Sequence, residues 1–185
     1  IFWEIMPLAS YFLDIFNSHQ KNNLRAGFKY FLITHVATAL MFLAGIILYV
    51  HTGSFSFLSL STGMSALAAS QPALLHLVLA FFFLGFATKA GILPMGDWLP
   101  DAYPAAPSPA SAAFAGSMTK LGIYGIVRIF CDILPASSFT QSWGMIIAVF
   151  GTLSIFVGTL TALVQEDTKR LLSFHVIGQM GYMFL

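Results

Sequence analysis

The sequence is poor in charged residues and nearly free of cysteine. Charged residues make up 8% of its 185 residues, against about 25% in a soluble globular domain. The formal net charge of +1 leaves no basic field to attract nucleic acid. A single cysteine, Cys131, excludes an internal disulfide and a metal site built from several cysteines. With 58% hydrophobic residues and a mean hydropathy of +0.84, the composition indicates a membrane protein.

Long apolar runs dominate the chain. A transmembrane helix needs about 20 predominantly apolar residues. We predict an all-α, polytopic transmembrane bundle of about six spans, the first and last of them partial. The spans cover residues 1–16, 28–50, 72–94, 109–134, 143–164 and 171 onward. Residues 51–71 are interpreted as a loop with a possible short interfacial helix. Because the first and last spans are cut short, we expect residues 1–185 to be a fragment of a single larger transmembrane domain.

Five of the Lys and Arg residues lie in two connections between predicted spans, at residues 21–29 and 169–170. Both connections fall on one side of the membrane if all six segments cross it. The positive-inside rule assigns that side to the cytoplasm. The connections at 51–71 and 135–142 carry no Lys or Arg and fall outside. Residues 95–101 should lie inside, although their only charges are acidic.

Three charged residues, Glu4, Lys89 and Lys120, lie within predicted spans. Each is eight to ten residues from another charge on its own segment, which corresponds to roughly 12–15 Å of helix. For Lys89 that reference charge is Asp97. Since the hydrocarbon core is about 30 Å thick, all three are predicted near the midplane. A charge there costs about 2.5–3.5 kcal/mol on insertion scales, so we interpret the three as ion- or proton-translocating residues.

Each of these interpretations has a structural alternative. Lys89 could extend its head to the interface, but the predicted depth exceeds the reach of a lysine side chain. Glu4 could be a structural carboxyl, hydrogen-bonded by Trp3 or a neighbouring helix. We favour a functional role, with Glu4 paired to Lys89, because two deep lysines require a counter-charge and no other carboxylate is predicted to lie as deep.

Three histidines and one glutamine are weaker candidates. His175, a short distance into the last span, is assigned to the translocation path because histidine exchanges protons near neutral pH. His35, His76 and Gln179 are possible relays. For His35 the alternative is packing and hydrogen bonding to a neighbouring threonine, and for His76 it is an interfacial position.

Gly85, Gly91 and Pro94 surround Lys89 in the third span. Proline disturbs a helix by removing a donor and crowding the preceding turn. Broken helices near the midplane mark ion sites in many transporters. We therefore predict a discontinuous helix here; the alternative is that Pro94 simply ends the helix near the surface.

The order of four motifs resembles the antiporter-like membrane subunits of complex I, and the resemblance covers nearly the whole chain. The motifs are FWEIMPLASYFL, GFATKAGILPMGDWLPDAYPAAPSPASA, TKLGIYGIVRI and VQEDTKRLLSFHVIGQMGYM. The same superfamily includes Mrp cation/proton antiporters and the membrane-bound hydrogenase and formate hydrogenlyase subunits. In that family a glutamate of the fifth helix, a lysine of a discontinuous seventh helix and a lysine of the eighth begin a proton path, and these match Glu4, Lys89 and Lys120. The resemblance implies an inverted-repeat fold, with this chain matching helices five to ten of about fourteen.

Two positions depart from the family pattern. Asp97 and Tyr103 stand where the family often has histidine on either side of the WLP motif. The segment SFHVIGQMGYM, with His175, is closer to the Mrp and hydrogenase branches than to complex I. The branch therefore stays open.

The resemblance implies proton translocation as one subunit of a larger complex in a bacterial or archaeal plasma membrane. That complex would be a complex I-like NADH dehydrogenase or a membrane-bound hydrogenase or formate hydrogenlyase, with other membrane subunits as partners. The alternatives are a Mrp-type sodium/proton antiporter subunit and a purely structural membrane-arm subunit. The sequence has no ligand set for haem, flavin, an iron–sulfur cluster or another metal, so we expect no cofactor and no catalytic centre in this chain.

Overall fold

The computed structural model describes residues 2–16, 19, 21–135 and 138–185. These residues are helical almost throughout and contain no strand, which confirms the all-α prediction. The α-helices are α1 (Phe2–Asp14), α2 (Lys21–Thr52), α3 (Phe57–Ser70), α4 (Pro72–Ala90), α5 (Leu99–Ala105), α6 (Ser108–Ala113), α7 (Thr119–Ile126), α8 (Ser138–Leu163) and α9 (Thr168–Phe184). Two π-helical turns, Phe114–Met118 and Val127–Ile133, flank α7.

The helices account for the expected membrane spans. Within the described residues, α2, α4 and α8 are each long and apolar enough to cross a membrane. From α6 to the second π-helical turn the backbone keeps right-handed helical angles at every junction, so residues 108–133 form one continuous helical rod. The helices α1 and α9, of 13 and 17 residues, are shorter than these three.

Residues 51–71 are more helical than we predicted. The helix α2 continues to Thr52, and α3 occupies Phe57–Ser70. Leu60, Met64 and Leu67 are buried on α3, and α3 packs against α2 and α4. Because these side chains find an apolar surface on neighbouring helices, the segment folds as a full helix rather than a loop.

The third predicted span is broken, as expected, but it ends earlier than Pro94. The helix α4 stops at Ala90, and Gly91 takes a left-handed conformation with φ of +82°. That conformation favours glycine because a Cβ strains it, and a Cβ here would also overlap the Leu99 side chain. The chain then runs without regular helix to α5, so the span is discontinuous.

The backbone groups freed by this break are bonded to other parts of the bundle. The Trp98 indole N–H donates to the Thr88 carbonyl at 2.9 Å, and the Leu93 amide donates to the Ser154 hydroxyl of α8 at 2.9 Å. Both Trp98 and Ser154 are fully buried. Irregular backbone at membrane depth is tolerated only where protein or water satisfies it, and here protein side chains do so.

The two basic connections meet at one end of the bundle, which we call the basic end. Lys29 of α2 contacts Asp97 at 2.6 Å and Asp101 at 2.7 Å. Lys169, in the first turn of α9, donates to the Ala106 carbonyl at 2.7 Å. The acidic connection therefore lies beside the basic residues, and its acids are the partners of Lys29.

The rod that carries Lys120 packs closely on α4. Gly122 of α7 lies directly against the backbone of Ala90 and Phe86, where a Cβ would overlap both. Small residues allow such close approach in membrane bundles. As a result the end of α4 and the middle of the rod are in contact, two residues from Lys120.

Candidate ion-translocation site

Glu4 is bonded to His35. The Glu4 Oε1 and His35 Nε2 atoms are 2.9 Å apart, and His35 Nδ1 is 2.8 Å from the Phe31 carbonyl oxygen. A carbonyl oxygen can only accept, so Nδ1 carries a proton. One further proton must then lie between Nε2 and Oε1, on either the imidazole or the carboxyl. The pair therefore holds one transferable proton.

This geometry differs from the structural alternative given for His35, which was packing and hydrogen bonding to a neighbouring threonine. Thr34 and Thr38 instead donate to carbonyls of their own helix, Tyr30 and Thr34 respectively. His35 contacts a different helix, and the carboxyl it binds is itself a predicted site residue.

Lys89 is buried and forms no ion pair with any residue that the structure describes. Its side chain is 3% exposed, and its Nζ has no hydrogen-bond partner among the described residues. The ammonium lies 5.8 Å from the centroid of the Trp3 ring, within the range of a cation–π interaction. The direct Glu4–Lys89 pairing that we predicted is not formed, although Glu4 is the charged group that interacts electrostatically with Lys89.

Glu4 nevertheless keeps one oxygen free. Its Oε2 atom is buried and has no hydrogen-bond partner in the described part of the chain, while Oε1 is taken by His35. Trp3, the residue before Glu4, contacts Lys89. An unpartnered carboxyl oxygen and an unpartnered ammonium thus belong to adjacent helices.

The depth predicted for Lys89 assumed a continuous helix from Lys89 to Asp97, which the structure does not contain. We measured along a continuous helix to Asp97, but α4 ends at Ala90. Packing gives a better position: Gly85 lies against Ala37 and Met41 of α2. Lys89, one turn further along α4, is then near the level of His35.

Lys120 has partners that Lys89 lacks. Its Nζ donates to the Ala115 carbonyl at 2.6 Å, and the Thr119 hydroxyl donates to the same oxygen at 3.2 Å. Ala115 belongs to the π-helical turn Phe114–Met118, and such turns occur often at functional sites. Lys120 also donates to the Gln179 side-chain oxygen of α9 at 3.4 Å. The structure therefore brings Gln179 to Lys120 across 59 residues of sequence.

The remaining two candidates lie apart from this group. His175 is exposed on α9, one turn before Gln179, and no hydrogen bond joins it to another candidate among the described residues. His76 accepts from the Trp143 indole at 3.3 Å, and its ring lies 4.8 Å from the Phe139 ring at a tilt of 39°, at the end of the bundle opposite the basic end.

Asp14 was missed as a buried carboxyl. Its exposure is 0%, whereas the Glu4 side chain is 26% exposed, so Asp14 is the more buried of the two carboxyls. That Glu4 is the carboxylate nearest the midplane stays a prediction. Both Asp14 oxygens lack a hydrogen-bond partner within the described residues. The spacing of Ser10 and Asp14, four residues apart on one helical face, was the available signal.

The fold and these residues define a multi-pass membrane protein with ionisable groups buried around a broken helix, a pattern typical of ion sites in membrane proteins. The chain belongs to the family described as NADH:quinone oxidoreductase/Mrp antiporter, transmembrane, which matches residues 1–185. This membership confirms the predicted resemblance and the location in the plasma membrane.

Relatives from two kinds of complex are similar to this chain. Hydrogenase-4 component B of Escherichia coli (strain K12) is 36% identical over 185 residues, which are all of this chain and 27% of the relative. A Na(+)/H(+) antiporter subunit of Alkalihalophilus pseudofirmus (strain ATCC BAA-2126 / JCM 17055 / OF4) is 35% identical over 187 residues, covering all of this chain and 36% of the relative.

A solved structure has the same fold. A chain of the membrane-bound sulfane sulfur reductase, an archaeal respiratory membrane complex, superposes with a TM-score of 0.86 at 27% identity, covering 97% of this chain and 36% of that one. The present chain therefore spans about a third of the length of the proteins it matches, since the three shares are 27%, 36% and 36%.

Proposed function

We propose that this chain is the central part of a proton-translocating membrane subunit of a complex I-like NADH dehydrogenase or a membrane-bound hydrogenase or formate hydrogenlyase. It would correspond to helices five to ten of a longer antiporter-like domain and would assemble with other membrane subunits. Family membership and the similarity to hydrogenase-4 component B support this proposal.

One observation carries the proposal: the Lys89 ammonium and the Glu4 Oε2 atom are buried on neighbouring helices, and neither has a hydrogen-bond partner among the described residues. Buried charges are normally paired, because an isolated charge in an apolar medium is very costly. A site that leaves them unpaired makes the charge state of each depend on the other. That dependence is what proton transfer requires.

The proposed step uses two positions of the Glu4 carboxylate. When its free oxygen turns to Lys89, the opposite charges stabilise each other and Lys89 holds its proton. When Glu4 is neutralised by the proton shared with His35, the Lys89 ammonium loses its counter-charge. Its proton then leaves through water for Lys120, which accepts it as a neutral amine with Gln179 and the Ala115 carbonyl beside it.

The test is Lys89→Ala in the full-length protein within its assembled complex. Proton uptake is measured in inverted membrane vesicles with a fluorescent ΔpH probe, and assembly is measured by native gel electrophoresis. We expect uptake to fall about 100-fold or more, the size of a lost proton-transfer group. Lys21→Ala, which removes an exposed lysine from the first turn of α2, is the matched control and should keep wild-type uptake.

Wild-type uptake by an assembled Lys89→Ala complex contradicts the proposal. If the wild-type complex moves no protons at all, the chain is a structural subunit instead.

A second candidate function is a Mrp-type sodium/proton antiporter subunit, favoured by the 35% identity to the Na(+)/H(+) antiporter subunit of Alkalihalophilus pseudofirmus. The same vesicles separate the two. Proton movement that requires a sodium gradient and no electron donor supports the antiporter, and movement that requires an electron donor supports the redox-linked complex.

A further inference from the structure

Asp14 is a buried carboxyl that the proposed path does not use. It is the last residue of α1, is 0% exposed, and neither oxygen has a hydrogen-bond partner among the described residues. Buried polar groups are hydrogen-bonded in the great majority of cases. Because an isolated carboxylate is very costly in an apolar medium, this position tolerates the uncharged acid far better than the ionised form.

Two buried tyrosines accompany Asp14. Tyr103 of α5 is 2% exposed and its hydroxyl has no hydrogen-bond partner in the described part of the chain. Tyr30 of α2 is 0% exposed. The three helices that carry Asp14, Tyr30 and Tyr103 pack against one another: α1 contacts α2 and α5, and α2 contacts α5. Three helices thus bring an unpartnered carboxyl and an unpartnered hydroxyl into one region, with a second hydroxyl near them.

Tyr30 connects this region to Glu4. It interacts electrostatically with Asp14 and with Glu4. Its hydroxyl and the Ser10 hydroxyl both contact the Met118 sulfur, at 3.5 and 3.7 Å. Ser10 lies one turn from Asp14 toward Glu4 on α1, and it is buried. Asp14 and Glu4 are ten residues apart on this helix, or roughly 15 Å, which is too far for direct transfer but within range of a few hydroxyl and water relays.

A cavity of about 510 Å³ opens beside the two tyrosines at the basic end. Ala26, one turn from Tyr30 on α2, and Pro104, which follows Tyr103, both line it. Arg25, Arg170 and other charged residues also line it, so water can enter. Neighbours of both tyrosines therefore line an open polar cavity, while the tyrosines themselves and Asp14 are buried behind that lining.

We propose that Asp14 is a proton-binding site that takes protons from this cavity and passes them to the Glu4–His35 pair. A proton from water in the cavity binds the Asp14 carboxylate by way of Tyr103. Asp14 then releases it, and the Tyr30 and Ser10 hydroxyls, with intervening water, each accept one proton and release one, until Glu4 is protonated. This inference rests on the proposed function, because it places Asp14 upstream of Glu4 on the same path.

The experiment compares Asp14→Asn with Asp132→Asn in the full-length protein within its assembled complex. Asparagine keeps the shape of Asp14 but cannot bind and release a proton, so we expect proton uptake in vesicles to fall about tenfold or more. Asp132 is a half-exposed carboxylate paired with Arg128, and its replacement should leave uptake unchanged. Asp14→Glu should restore part of the lost uptake, which a purely structural carboxyl would not.

Tyr103→Phe serves as a second variant if Asp14→Asn does not assemble. It keeps the buried ring and removes only the hydroxyl, and we expect uptake several-fold below wild type. Infrared difference spectra of the wild-type complex should contain a carboxylic acid band. This band should disappear in Asp14→Asn and change frequency in Asp14→Glu.

Lys89→Ala distinguishes the two proposals. If Lys89→Ala abolishes uptake while assembled Asp14→Asn and Tyr103→Phe complexes retain wild-type uptake, Asp14 is only structural and this inference is overturned. If an assembled Lys89→Ala complex keeps wild-type uptake, the proposed function is contradicted, and the inference that rests on it is overturned as well.

Discussion

The region around Lys89 and the region around Lys120 place an ammonium in an apolar bundle in opposite ways. Lys89 lies in the last turn of α4, which breaks at Gly91, and its Nζ has no hydrogen-bond partner among the described residues. Lys120 lies within a continuous rod, where a π-helical turn supplies the Ala115 carbonyl at 2.6 Å and α9 supplies Gln179. The first region therefore offers the lysine ammonium no hydrogen-bond acceptor among the described residues, and the second offers it two. A charge is therefore easily destabilised at Lys89 and easily accommodated at Lys120, which favours transfer in that direction.

The largest expected effect comes from replacing each lysine by methionine, which is of similar length and uncharged. Both variants should lose proton uptake by about 100-fold, but their stabilities should differ. Lys89→Met removes an unpartnered buried charge and should raise the free energy of unfolding by about 1–4 kcal/mol. Lys120→Met removes a bonded charge and should not. Thermal unfolding of the detergent-solubilised proteins measures this difference, and equal shifts would contradict the comparison.

The contact between the two regions is tested by Gly122→Ala. A Cβ at this position would overlap the backbone of Ala90, so the rod and α4 must separate. We expect a loss of about 1–3 kcal/mol in stability, typical of overpacking, together with reduced uptake. Gly116→Ala is the matched control, because a Cβ there meets nothing within 4 Å; an equal loss in both variants would mean that helix–helix contact is not the cause.

Ser154→Ala affects the broken-helix region alone. It leaves the Leu93 amide without the acceptor it has at 2.9 Å. An unsatisfied buried donor costs about 1–3 kcal/mol, and we expect a loss in the lower half of that range, measured by denaturant unfolding. Ser117→Ala, at an exposed serine bonded only to its own helix, should have almost no effect. Retained stability in Ser154→Ala would show that water replaces the hydroxyl at the break.

The smallest expected effect on proton uptake concerns the contact between Gln179 of α9 and Lys120. Gln179→Leu removes a 3.4 Å contact to Lys120 and leaves the stronger one to Ala115. A hydrogen bond of this kind contributes about 1 kcal/mol, so uptake should fall about fivefold. Tyr182→Phe, at an exposed position further along α9, is the control. A fall as large as that of Lys120→Met would instead make Gln179 an obligatory member of the path.

The features predictable from the sequence were those with a local cause. Apolar runs of sufficient length identified the spans, and Gly91 with Pro94 identified the break near Lys89. The end of α4 at Ala90 was missed because a left-handed glycine stops a helix before the proline does. That error also invalidated the depth measured to Asp97.

The pairing of side chains could not be predicted, because it depends on how the helices face one another. His35 binds Glu4 rather than a nearby threonine because α1 packs on α2. Asp14 is buried because α5 returns toward α1 after the break. Nothing within a few residues of either side chain carries that information.

The break at Gly91 has a kinetic consequence. The bonds from Trp98 and Ser154 hold the interrupted backbone in place and oppose bending of α4 against α5. Collective helix movements of that kind take microseconds to milliseconds, whereas side-chain rotations take picoseconds to nanoseconds. If the backbone stays fixed, only the torsions of Glu4 and Lys89 need to change. The turnover of this region is then limited by the arrival of protons and water rather than by the time a helix needs to move.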